Sequence, residues 1–157
     1  MERRSGIFSW CLYDWAMSAY NTVIGTFIFS VYFTRAVAES EVAGTAQWGR
    51  AVAVSGLAVA VLSPVLGAIA DRGGRRKPWL ALFTALTVAG TALLWFVTPE
   101  PSSVMPALVL VALTGVTFEL ANVFYNAMLP SLAPPAPLPA DVAEQVEIET
   151  KYAGYLE

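Results

Sequence analysis

Apolar residues in this chain gather into four long runs separated by short polar breaks. The first runs from Phe8 or Trp15 to about Ala38, the second from about Trp48 to Ala70, the third from Pro78 to about Val97, and the fourth from about Val104 to Leu132. Each approaches the ~20 residues a helix needs to cross a hydrocarbon core about 30 Å thick. The breaks have the composition of turns: Glu39, Ser40, Glu41 and Gly44, then the charged stretch Asp71 to Lys77, then Thr98-Pro99-Glu100-Pro101-Ser102. Pro64, after Ser63, is expected to kink the second helix because it removes a backbone donor. Pro78 suits the first turn of the third, where that donor is unused. Pro134, Pro135, Pro137 and Pro139 forbid a regular continuation of the fourth.

The pattern predicts an all-α integral membrane protein of about four transmembrane helices, spanning residues 1–133. A Pro-rich and then acidic cytoplasmic tail follows over 134–157, carrying Asp141, Glu144, Glu147, Glu149 and Glu157. Composition agrees: hydrophobic residues are 57 % and charged residues 13 % of the 157, about half the charge of a soluble domain. The first run is too long for the ~7–15-residue core of a cleaved signal peptide, so an uncleaved first helix is expected despite Ala36-Val37-Ala38. Arg3, Arg4, Arg72, Arg75, Arg76 and Lys77 place the N-terminus and the Asp71–Lys77 loop in the cytoplasm by the positive-inside rule, and four spans return the C-terminus there. Trp10, Tyr13, Trp15, Trp48, Trp79 and Trp95 lie near run ends, as interfacial anchors do.

Several chemistries are excluded or unsupported. One cysteine, Cys11, and no histidine allow no intrachain disulfide, no Cys/His metal cluster and no histidine base. No basic stripe invites nucleic acid. The sequence offers no nucleophile–base pair and no phosphate loop, so no enzyme and no cofactor are expected. The lipid bilayer is the partner that the composition implies.

Two polar stripes cross the apolar runs. Asp14, Ser18, Asn21 and Gly25 fall on one face of the first helix, and Gly115, Glu119, Asn122 and Asn126 repeat the same spacing on the fourth. Glu119 near mid-membrane costs roughly 2.5–3.5 kcal/mol on insertion scales. It is therefore expected to be protonated, paired or facing a wet cavity. Asp14, Asn21, Glu119, Asn122 and Asn126 are the candidates for a substrate or proton pathway. For Asn21 and Asn126, interhelical hydrogen bonding is an equal alternative. An interfacial location explains Asp14 equally well.

The stretch Gly67-Ala-Ile-Ala-Asp71-Arg72-Gly-Gly74-Arg75-Arg76-Lys77 resembles the signature loop between helices two and three of the major facilitator superfamily. Three further stretches, Trp10 to Ala16, Ser63 to Arg72 and Phe124 to Pro130, resemble the UMF1 branch of that superfamily, which includes the vacuolar Atg22 proteins and is associated with amino-acid efflux. The likeness extends over about residues 7–133 and implies a partial major-facilitator N-terminal half. It also implies that Gly67, Asp71, Arg72, Gly74, Arg75 and Arg76 form a gating loop rather than a substrate site. Gly67 would permit close helix approach, and Asp71, one turn on, would hold an arginine or meet a helix N-terminus. In the superfamily, helices one and four line the central pathway.

A complete transporter of this type has two six-helix halves, so a truncated secondary transporter of amino acids or other small solutes, not competent alone, is expected. A small four-helix transporter acting as a dimer, and a non-transporting membrane partner or anchor, are the alternatives. The tail departs from the family: Asp141 to Glu157, within a tail of about residues 136–157, resembles a C-terminal piece of the flavin-dependent tRNA-uridine modification enzyme MnmG (GidA), without its flavin fold or catalytic residues. A solvated acidic tail explains that stretch equally well.

The orientation is testable by labelling. In a Cys11→Ser background, Glu39→Cys is expected to react with a membrane-impermeant maleimide in intact cells. Lys77→Cys should react only after permeabilisation. The reverse pattern would overturn the assignment.

Overall fold

In a computed structural model, the chain is described over residues 2–73 and 76–128, with side chains described for 6–69 and 76–128. The described residues are helical apart from short connections, with no strand among them. The elements are α1 (Glu2–Tyr20), a π-helical segment (Asn21–Phe27), α2 (Phe29–Tyr32), a second π-helical segment (Phe33–Val37), α3 (Glu41–Gly73), α4 (Arg76–Leu93) with a 3-10 turn at Leu94–Phe96, a 3-10 turn at Pro101–Ser103, and α5 (Val104–Ala127). Four stretches are long and apolar enough to cross a membrane: Gly6–Val37, Glu41–Ile69, Arg76–Phe96 and Pro101–Ala127.

Two features depart from the sequence expectation. The first span is not one regular α-helix. It widens into π-helical turns at Asn21–Phe27 and Phe33–Val37. Thr26 Oγ1 donates to the Asn21 carbonyl, five residues back, at 3.0 Å, and such side-chain bonds give the backbone an alternative to the regular ladder. The second helix starts at Glu41 rather than near Trp48, and Gly44 lies inside it. Gly44 does not break the helix; it permits a close approach. A Cβ there would sit 2.7 Å from Ala38 Cβ and 3.0 Å from Thr34 Cα, so the turn between the first two spans closes only over a bare backbone. The exposed Arg35–Glu41 pair, 3.2 Å apart, spans the same turn and adds at most about 1 kcal/mol. Pro64 lies inside α3. At 33 residues and 1.5 Å per residue, α3 is about 50 Å long, so it tilts or emerges from a hydrocarbon core of about 30 Å.

α5 is the axis of the bundle. Its buried residues Ala107, Val111, Thr114, Phe118, Ala121 and Tyr125 recur at helical spacing along one face, widened by Leu120 and Phe124. One cluster joins Ala107 and Val111 to Ile24, Phe29, Phe33, Val37 and Leu94. A second joins Leu120, Ala121 and Phe124 to Phe83, with Met17, Leu66, Trp79 and Leu80 against it. Trp79, Phe83 and Phe124 stack at centroid separations of 5.7–6.1 Å. At the middle of α1, Trp10 stacks on Tyr125 at 4.6 Å, and the Tyr125 hydroxyl donates to the Trp10 carbonyl at 3.1 Å.

Outward-facing positions are apolar, the reverse of a soluble protein. Trp15 is 76 %, Leu57 70 % and Trp95 88 % exposed, which a bilayer accepts and water does not. Lipid tails are as apolar as leucine, so the helices are held by close packing and hydrogen bonds instead. The buried polar residues among those described, Ser55, Thr87 and Thr114, each supply such a bond. Thr87 donates to Thr117 Oγ1 at 2.9 Å, joining α4 to α5. Ser55 Oγ lies 2.9 Å from the Ala112 carbonyl, joining α3 to α5.

The tightest crossing is between α4 and α5, where a Cβ on Gly90 would lie 2.2 Å from Thr114 Cγ2. Gly90→Ala is expected to destabilise the bundle by about 1–3 kcal/mol, the usual cost of overpacking. Gly49→Ala, which meets nothing within 4 Å, should be neutral or stabilising. Thermal unfolding in detergent checks both, and Thr114→Ser should restore the Gly90→Ala variant by removing the clashing methyl.

Candidate functional site

The two polar stripes meet. A cavity of about 340 Å³ lies between the first span, α3 and α5. The π-helical segment brings Asn21 and Gly25 to it, α3 brings Trp48, Ser55 and Gly56, and α5 brings Gly115, Phe118 and Glu119. Asn21 and Glu119 are 98 positions apart in sequence, yet they line one space. The π-turns matter locally, because widening the helix at Asn21 changes the direction of the side chains that follow, and π-turns often mark functional positions. A Cβ on Gly25 would lie 2.9 Å from Asn21 Oδ1. The Asn21 amide therefore folds over a position where any larger residue would displace it.

The remaining candidates lie elsewhere. Asp14 is exposed on α1, outside the cavity and close to the Tyr125 hydroxyl. Asn122 is half-buried and Asn126 exposed, and neither lines the cavity. The stripe on α5 thus divides: Gly115 and Glu119 reach the cavity, and Asn122 and Asn126 continue past it toward the C-terminal end of the helix.

Glu119 is exposed in the isolated chain, and it makes no hydrogen bond or ion pair among the described residues. The neighbouring polar groups are already engaged. The Tyr20 hydroxyl donates to Thr114 Oγ1 at 3.0 Å, and the Thr114 hydroxyl donates in turn to the Leu110 carbonyl at 2.7 Å. The Ser55 hydroxyl lies 2.9 Å from both the Ala51 and the Ala112 carbonyl. The Tyr20 ring stacks on Phe118 at 4.5 Å. Tyr20 and Ser55 belong to the cavity without having been singled out in the sequence, and Trp48, read there as an interfacial anchor, joins them. Tyr20 directly precedes Asn21, whereas Trp48 and Ser55 lie on α3 with no candidate pathway residue beside them in sequence.

A second cavity of about 310 Å³ lies between the first span and α4. Thr84, Thr87 and Thr91 are its polar positions beside Tyr20, and no charged side chain lines it.

The loop residues divide between described and undescribed. Gly67 lies on α3 with nothing within 4 Å of a Cβ placed there, so the close approach expected at it is made by none of the described helices. Asp71 and Arg72 fall in the last turn of α3, with side chains outside the described set, and Gly74 and Arg75 lie outside the described residues. Arg76 opens α4, and its guanidinium donates to the Ala127 carbonyl at the end of α5. A helix C-terminus leaves carbonyls unpaired and carries partial negative charge, which a cation offsets. The tail that resembles MnmG also lies outside the described residues. Among the described residues no group of three or more acidic, cysteine or histidine side chains could hold a metal ion.

Over residues 38–153 the chain matches the family described as vacuole effluxer Atg22 like, a match that runs through most of the tail. An uncharacterized MFS-type transporter of Bacillus subtilis (strain 168), YxiO, is 40 % identical over 129 residues, which are 80 % of this chain and 30 % of that protein. This chain therefore spans less than a third of the length of that relative. No solved structure matches.

The Tyr20–Thr114 bond ties the first span to α5 at the cavity wall. A double-mutant cycle of Tyr20→Phe and Thr114→Val, read by unfolding in detergent, is expected to give a coupling of about 0.6 kcal/mol and no more than about 1.7 kcal/mol. Zero coupling would mean that the bond adds nothing to the bundle.

Proposed function

The chain belongs to the Atg22-like family of major-facilitator-type transporters, and from that premise we propose that its four spans form the first part of a secondary active transporter of small organic solutes. The family is one of transporters rather than enzymes, and the chain is an integral membrane protein. The observation that carries the reading is the convergence of Asn21 and Gly25 with Gly115 and Glu119 on one cavity. Helical periodicity explains why each pair shares a face of its own helix. It does not require the two faces to meet. A mid-membrane acid on such a wall is a functional feature by default, because its desolvation cost of roughly 2.5–3.5 kcal/mol is otherwise uncompensated.

In this reading the cavity is one wall of the solute pathway. Efflux of small solutes, amino acids among them, is the proposed activity. The cavity is open along one side in these four spans, so transport requires further helices to close it. The loop Gly67–Arg76 serves as the gate: Arg76 fixes the start of α4 to the end of α5, and the bare face at Gly67 is left for a helix beyond these four. The N-terminus and this loop face the cytoplasm of a cell whose plasma membrane holds the protein.

Cysteine labelling tests the pathway directly. In a Cys11→Ser background, Asn21→Cys, Gly115→Cys and Glu119→Cys are expected to react with a charged maleimide in opened membranes, because the reagent needs a hydrated thiol. Leu113→Cys, 59 % exposed toward lipid, should not react. If Glu119→Cys is as unreactive as Leu113→Cys, the cavity is not a wet pathway and the reading fails.

A further inference from the structure

The chemistry of the cavity wall is one-sided. Among the described residues, Glu119 is the one charged side chain that lines it, and neither lysine nor arginine reaches it. Glu119 has no hydrogen bond or ion pair among the described residues. The nearby hydroxyls are committed: Tyr20 to Thr114, and Ser55 to the backbone carbonyls of Ala51 and Ala112. A carboxylate in this position therefore lacks a positive partner, and the Asn21 amide on the same wall is a donor without charge. The rest of the wall suits an organic cation. Tyr20, Trp48 and Phe118 bring three aromatic rings to the same space, and ring faces attract ammonium groups, more strongly as water is excluded. Gly25, Gly56 and Gly115 add no side-chain bulk. A volume of about 340 Å³ is at the small end for ligand cavities, which run from about 300 to 1,000 Å³. A solute's carboxylate finds no counter-charge here and would meet Glu119 as a like charge, which is destabilising.

We infer that this cavity recognises its solute through an ammonium group, with Glu119 as counter-charge and Tyr20, Trp48 and Phe118 as an aromatic rim. The cargo class is a small primary-amine compound, whose carboxylate, where it has one, is not read by these four spans. This rests on the cavity being part of the solute pathway. The second cavity, between the first span and α4, has no charged side chain and gives no preference for a cation over a neutral molecule of the same shape.

The test uses three probes of matched size: phenethylammonium, 2-phenylethanol and 3-phenylpropionate. Binding is measured by calorimetry on the chain in phosphatidylcholine nanodiscs, where no net lipid charge gathers cations. Phenethylammonium is expected to bind at least about tenfold tighter than 2-phenylethanol, the scale of one charge-assisted contact. 3-Phenylpropionate should bind most weakly. Glu119→Gln should abolish the preference for the amine while melting no lower than the parent, since a desolvated charge has been removed. Glu119→Asp should keep part of the preference. Equal affinity for amine and alcohol, an amine preference that survives Glu119→Gln, or no amine binding at all overturns the inference. Those results leave the pathway reading intact if Glu119→Cys is labelled from water. An unlabelled Glu119→Cys removes the pathway reading itself.

Discussion

Everything in this bundle depends on α5 being able to approach its neighbours closely. In a bilayer, helices gain nothing by hiding leucine from lipid, so they associate through short backbone separations and a few hydrogen bonds. Gly90 brings α4 against Thr114, and Gly115 lets Ser55 of α3 come into contact with α5. Thr114 is the point where the constraints meet. It accepts the Tyr20 hydroxyl, donates within its own helix, and fills the notch left by Gly90. The first span, α3 and α4 are thereby fixed around one axis, and the cavity is the space that remains on one side of it.

That arrangement explains how a carboxylate can sit in a membrane span without a hydrogen-bond or ion-pair partner among the described residues. α5 has a packed face that begins at Ala107 and ends at Tyr125. Glu119 lies on the opposite side, with Gly115 one turn before it, where the first span has widened into π-turns and α3 offers glycine and serine. The acid is displayed by the same packing that stabilises the helix. Moving Glu119 by one position would bury it among Phe118, Leu120 and Ala121, where it would cost more and do nothing. Arg76 adds a second link at the other end of α5, joining the start of α4 to the end of the helix that carries Glu119.

Local irregularities account for the places where a regular reading of the sequence goes astray. Gly44 reads as a helix breaker, yet it sits inside α3, because closing the first turn requires the absence of a side chain there. The first apolar run reads as one helix, yet two π-segments interrupt it, because helical periodicity is too coarse to register a widening of one residue. Gly67 reads as a helix contact, and its face is bare among the described helices.

The sequence by itself determined that this chain lives in a membrane, that it crosses with four helices, and that it resembles the major facilitator superfamily. Those conclusions follow from run length, from the scarcity of charge and from a loop motif, all of which are local properties. It also determined which residues share a face, so Asn21 with Gly25 and Gly115 with Glu119 were legible as pairs. Only the tertiary structure decided that the two faces meet, that Asp14, Asn122 and Asn126 stay outside the cavity, and that Tyr20, Trp48 and Ser55 complete it. The reason is physical: a helix's face is set by its own 100° step per residue. Which faces meet is set by where neighbouring backbones can come close, and that depends on Gly90, Thr114, Gly115 and Ser55 acting together across three helices.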